Sequence, residues 1–176
     1  MRRPWQKPTD SVRIYDDAVL RAPARTVTDF GNELQRLIER LLRVQKRHHA
    51  VGVAASQIGE PWDVFVINGG EIRRGGKPEV YINARIVDEN GHAIDEEGCL
   101  SFPGVFVPIK RSSHVALAAL DQDGNGFERE ATGLLARAYS HETDHLQGRL
   151  IIDRIGPTAR ERVIAHMRKH ARKAVG

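Results

Sequence analysis

Apolar residues recur three and four apart through Phe30, Leu34, Leu37, Ile38, Leu41 and Leu42. That period lays one apolar stripe along a helix over roughly Asp29 to Lys46, with Thr28 or Asp29 placed to cap it. Val64 to Ile67 and Val80 to Val87 are short apolar, β-branched runs that predict strands. Between them, 68–78 carries two Gly-Gly pairs and predicts a loop; its Gly75-Gly76-Lys77-Pro78 lacks the Ser/Thr that follows a phosphate loop. His114 to Leu120 and Phe127 to Ala131 predict two further strands, joined as a hairpin through the polar turn 121–126. Thr132 then stands at the cap position of a second long helix reaching about Gln147, where Gly148 supplies the stop. Pro157 opens a terminal helix to about Lys173, and residues 1–13 predict a loose arm. With no repeat and no linker, the pattern describes a single α+β domain over 1–176. Its strands are mostly antiparallel around a buried central helix, with an N-terminal helix and a C-terminal helix beside them.

The second long helix carries unusual residues on its apolar face. Leu134, Ala138, His141 and His145 fall on one stripe, and His141-Glu142-Thr143-Asp144-His145 reads H-E-x-x-H. Side chains four apart share a helical face, so both histidines can reach one metal ion, with Glu142 beside it to take a proton from a bound water. His166 and His170 are also four apart, but Arg168, Lys169 and Arg172 surround them with no acid between; cations oppose a further cation, so that pair predicts a solvent-facing surface.

Catalytic sites of this kind use three protein ligands and leave one position open. Downstream of the motif the nearest carboxylate is Asp153; upstream lies Glu97-Gly98-Cys99-Leu100-Ser101, before a turn-like Phe102-Pro103-Gly104. A thiolate with two imidazoles suits Fe²⁺ or Zn²⁺ better than Mg²⁺. A third stretch, 50–57, is a run of small residues ending in Gln57, which allows close backbone approach and offers one amide donor; read alone, such a run is more often tight packing.

Composition adds limits. At 176 residues the chain can bury a substantial core. Its 40% hydrophobic and 28% charged residues are those of an ordinary globular protein. No apolar stretch is long enough for a transmembrane helix and no signal peptide is legible, which points to the cytoplasm and away from a membrane. One cysteine excludes an intramolecular disulfide. The net charge of +4 concentrates at the ends, most densely from Arg154 to Lys173, as a solvated face or as weak affinity for a polyanion.

Together, Val51-Gly52-Val53-Ala54-Ala55-Ser56-Gln57, Glu97-Gly98-Cys99-Leu100-Ser101 and His141-Glu142-Thr143-Asp144-His145 resemble, in order and spacing, the three motifs of peptide deformylases. Asp17 to Arg21 and Tyr81-Ile82-Asn83 extend the likeness over most of 14–155. The resemblance implies a metal-dependent hydrolase that removes the formyl group from the N-terminal methionine of nascent polypeptides and releases formate. It implies Cys99, His141 and His145 as ligands of one divalent ion per chain, typically Fe²⁺, with Zn²⁺ or Ni²⁺ able to replace it. It implies Glu142 as general base and then acid, the side chain of Gln57 and the N–H of Leu100 as oxyanion donors, and Val51, Gly52 and Gly98 as lining of the peptide groove. The basic terminal helix, 157–176, is similar to one with which some members dock on the ribosome; no sequence-specific nucleic acid is implied. The chain departs from the family pattern at Ala50, Ala84 and Ser140, and 104–108 lacks an arginine that several members hold near substrate.

Overall fold

The computed structural model describes residues 10–174. Strand β1 (Gly52–Ala54), β2 (Val64–Asn68), β3 (Pro78–Asn90), β6 (His114–Leu120) and β7 (Gly126–Thr132) form an antiparallel sheet in the order β1-β2-β3-β6-β7. A separate antiparallel pair joins β4 (Ala93–Cys99) to β5 (Phe102–Arg111). The helices are α1 (Asn32–His48), the single turn α2 (Gly69–Ile72), α3 (Gly133–Leu146) and α4 (Pro157–Ala174).

The alternation of β2 shows why the sheet is covered on both sides. Phe65 and Ile67 point to α3, while Val64 and Val66 point to α1, and all four are buried. The stripe of α1 (Leu34, Leu37, Ile38, Leu41) packs on Val53, Val64, Val66 and Ile82. On the other face, Ala136, Tyr139 and Leu146 of α3 meet Phe65, Tyr81 and Leu117, and the hydroxyls of Tyr81 and Tyr139 lie 2.7 Å apart. A third cluster seats Val163 and Met167 of α4 against Phe102, Val107 and Ile109 of β5.

Several expectations need correction. Helix α1 starts at Asn32 with Gly31 as its cap residue; Asp29 instead accepts the N–H of Gly31 through its carboxylate, at 2.8 Å. The expected loop 68–78 contains α2 and the start of β3. The expected arm ends early: residues 1–9 lie outside the described residues, but Asp10 holds Arg40 and Arg43, and the N–H of Arg13 donates to the carbonyl of Gln57 at 2.7 Å. Phe102-Pro103-Gly104 is the beginning of β5 and no mere turn. Its burial alternates through Val105, Val107, Ile109 and Arg111, but Pro103, Gly104 and Pro108 disguise the strand in sequence. Proline is tolerated there because a two-stranded ribbon leaves one edge of β5 without a ladder to complete. Leu134, expected on the apolar face of α3, is half exposed. His166 is exposed as expected; the side chain of His170 lies outside those described.

Candidate active site

Helix α3 is buried almost all round, although it carries Arg137, Ser140, Glu142, Thr143, Asp144 and His145. A helix with ionisable groups on its buried faces needs partners for each of them, and such groups mark functional sites. Thr132 caps it by position but not through its side chain. Gly148 ends it at φ +69°, a left-handed conformation in which a Cβ would also strike the backbone of Arg21.

The β4–β5 ribbon brings Cys99 to this helix. The register shifts between Gly98 and Cys99, so Cys99 pairs with Phe102 across a tight turn holding Leu100 and Ser101. The ligand atoms of Cys99, His141 and His145 all lie within 4.8 Å of one another, and Cys99 Sγ is 3.4 Å from His145 Nε2. Metal–ligand bonds of about 2.0–2.3 Å in tetrahedral geometry set neighbouring donors roughly 3.3–3.8 Å apart, so this soft, compact set fits one divalent ion. Asp153, the downstream alternative, is occupied elsewhere: it pairs with Arg21 and accepts the N–H of Leu150.

Glu97 orients the first histidine. Its Oε2 lies 3.0 Å from His141 Nδ1, while Arg111 donates to both of its oxygens, at 2.8 and 2.9 Å, and Arg137 to Oε1 at 2.7 Å. Burial alone would raise the pKa of this carboxyl, but the hydrogen bonds from Arg111 and His141 overcome it and hold Glu97 well below the usual carboxylate range. Arg111 also bonds Asp144 at 2.5 Å, and Asp144 receives Arg154 as well. The Asp144–Arg111 pair is therefore a buried bridge from α3 to β5. Burial opposes charge on both histidines; Cys99 and Glu97 raise His141 in spite of it, whereas His145 falls well below its ordinary value.

Glu142 is buried, with Oε2 free of any hydrogen-bond partner among the described residues. Burial pushes its pKa up to about 7, where a carboxyl can accept and return a proton near neutrality. Gly52 of β1 is its wall: a Cβ there would stand 2.8 Å from both Cγ and Cδ of Glu142, and closer still to Oε1. Gln57, in a 3-10 turn after β1, accepts the N–H of Ala54 and directs Nε2 at Cys99 Sγ and Ser101 Oγ, each at 3.4 Å. The small-residue run thus packs tightly and also delivers an amide to the site.

Gln57, Glu97, Cys99, Arg137, His141 and Glu142 border one cleft of about 650 Å³, and His145 is buried beside them. Val51, Gly52, Gly98 and Leu100 line it, together with Phe106 and Leu134. The ring of Phe106 lies over Gly98, where any Cβ would meet it at 2.7 Å. Sequence reasoning missed Glu97 as the partner of His141, the two arginines on it, and the apolar rim of Phe106 and Leu134. For Arg111 a signal existed, since it continues the buried alternation of β5; for Arg137, flanked by alanines in α3, none did.

A model of the polypeptide deformylase family matches residues 9–161. The chain is 39% identical over 150 residues to a peptide deformylase of Thermodesulfovibrio yellowstonii, covering 85% of this chain and 91% of that one. It is 42% identical over 144 residues to one of Clostridium botulinum, covering 82% and 95%. Among solved structures, the peptide deformylase of Legionella pneumophila superposes with a TM-score of 0.87 at 33% identity, covering 94% and 96% of the two chains.

Proposed function

The chain belongs to the peptide deformylase family, hydrolases that remove the formyl group from the N terminus of nascent polypeptides, and from that premise we propose how its own residues perform the reaction. Cys99 through its sulfur, and His141 and His145 through their rings, hold one divalent ion. The family likeness points to Fe²⁺ as the occupant, with Zn²⁺ or Ni²⁺ able to substitute, and a thiolate beside two imidazoles suits such ions better than Mg²⁺. Such an ion, when bound, acidifies a water and polarises a carbonyl.

Glu142 is the proton carrier. Its buried carboxylate takes a proton from the attacking water and returns it to the methionine nitrogen as the C–N bond of the formamide breaks. Gln57 Nε2 and the N–H of Leu100 donate to the formyl oxygen as negative charge develops on it, which is where preorganised donors contribute most. Glu97 holds His141 in one ring orientation, and Arg111 and Arg137 keep Glu97 ionised. Val51, Gly52 and Gly98 form the wall along which the peptide lies. Gly52 and Glu142 leave little room beside the reacting carbon, which favours formyl over longer acyl groups.

The observation that carries this reading is the convergence of the Cys99, His141 and His145 ligand atoms within 4.8 Å of one another, with Cys99, His141 and the proton-accepting carboxyl of Glu142 lining one cleft. No helix of the described residues is long and apolar enough to cross a membrane, and we read the cytoplasm as the site of action. Helix α4 buries Val163 and Met167 and exposes Arg160, Arg162, Arg168 and Lys169, which supports docking on ribosomal RNA through charge. The test is formate release from a formyl-Met tripeptide by protein purified without oxygen and loaded with Fe²⁺. Chelator-sensitive release is expected; folded, metal-loaded protein that releases none refutes the assignment.

A further inference from the structure

Helix α3 carries a second polar stripe that deformylation does not use. Ser140, Thr143, Asp144 and Gln147 stand at i, i+3, i+4 and i+7, so they share a face distinct from that of His141 and His145. The first three are buried, at 7%, 4% and 5% exposure, which is costly for polar groups unless something satisfies them. This face floors a second cleft, of about 900 Å³, walled by Arg85 to Glu89 of β3, the turn at Gly91 and His92, and Lys110 to Ser112 at the end of β5.

The charges of this cleft are unbalanced. Arg85, Lys110, Arg111, Arg149 and Arg154 line it against Asp88, Glu89 and Asp144, five cations to three carboxylates. Asp144 is taken by Arg111 and Arg154, and Glu89 accepts the hydroxyl of Ser112 at 2.8 Å. Arg154 spends Nε and Nη2 on Asp144 and keeps Nη1. Arg85, Lys110 and Arg149 are exposed and make no ion pair among the described residues. On the floor, Thr143 Oγ1 is buried with no hydrogen-bond partner among the described residues.

We propose that this cleft, on the far side of the catalytic helix, binds a small phosphate-bearing anion held by Arg85, Lys110 and Arg149. Three cations that make no ion pair among the described residues, of which Arg85 also acts at longer range on Asp63, surround a concave polar surface and focus a positive potential, and guanidinium forks match phosphate oxygens. The volume suits one small ligand, such as a pyrophosphate or a nucleoside diphosphate, more than an extended nucleic-acid backbone. The floor residues neighbour Glu142 in sequence, so a ligand here touches the helix that carries the active site without entering the site.

Calorimetric titration of the metal-loaded protein with pyrophosphate and, separately, with ADP tests this, with metal content measured afterwards. Binding of either near or below about 1 mM is expected. Binding should be weakened at least about tenfold by the double variant K110E/R149E and also by R85E on the opposite wall, with formate release in the absence of ligand unchanged. Equal affinity for both probes identifies the phosphates alone as the recognised group; a preference for ADP identifies a nucleotide. The proposal is overturned if neither probe binds, or if the variants bind as tightly as the parent. It also fails if binding strips the metal or competes with the formyl peptide, which would place it in the catalytic cleft. A ten-residue oligouridylate that binds where both probes do not would assign the surface to RNA and refute a small ligand.

Discussion

Replacing Gly52 by alanine perturbs the active site at its tightest point. The added carbon would sit 2.8 Å from Cγ and Cδ of Glu142 and nearer still to Oε1, whereas ordinary contact begins near 3.4 Å. The carboxyl must therefore retreat by about 0.6 Å at its stem and by roughly 1 Å at its tip. Glu142 is 3% exposed, so that movement pushes it into packed neighbours and away from its line to the reacting atoms. A displacement of about 1 Å in a catalytic group can cost ~10²-fold, or about 2.7 kcal/mol of barrier. The backbone at Gly52 does not require glycine, because its φ is not positive; lowered chain entropy in the unfolded state should offset some of the packing strain, by about 0.4–1 kcal/mol. The assay is kcat and KM on a formyl-Met peptide, with metal content and melting temperature measured on the same sample. The expectation is a kcat lower by roughly 10²-fold with metal retained and a melting temperature close to the parent's. A kcat within about threefold of the parent, metal retained, would refute the placement of Glu142 as the proton carrier. A raised KM with kcat intact would instead make Gly52 a wall for substrate only.

Other outcomes follow from the same geometry. Glu142→Gln should keep one metal per chain and lose activity by about 10²–10⁴-fold, whereas Cys99→Ala should lose metal on dialysis; retained metal and activity in the latter would exclude Cys99 from the ligand set. Arg111→Met leaves two buried carboxylates short of a partner, Glu97 with Arg137 and His141 and Asp144 with Arg154, and should cost about 3 kcal/mol in denaturant unfolding; a loss under about 1 kcal/mol would show the bridge to be dispensable. Burial raises the carboxyl of Asp63 to about 6, against the opposing N–H of Ala84 and charge of Arg85. The native state then keeps a proton that the unfolded chain has released, so stability should fall as pH rises from about 4 to 6. Asp63→Asn should remove that part of the slope, and an unchanged slope in pH-dependent melting would locate the effect elsewhere.

How much of this molecule can be read from its chain differs by element. Helix α1 and strands β2, β3, β6 and β7 were legible because each has one dominant period, set by a local rise and a local burial face. H-E-x-x-H was legible for the same reason: both histidines belong to one helix, whose geometry fixes their separation. The three motifs together carried the family resemblance, and with it the expected ligand set and fold. What no local period contains is how distant elements meet. The β4–β5 ribbon was missed because β4 is mostly exposed and prolines and a glycine interrupt β5. Yet this ribbon brings Cys99 within reach of His145, and Glu97 and Arg111 within reach of His141 and Asp144. Gly52 resembles any small strand residue until β1 is laid against α3 and its missing side chain proves to be the space Glu142 occupies. Tertiary packing decided these points because burial, charge pairing and pKa depend on what surrounds a group from every side, and along the chain only its nearest neighbours are written.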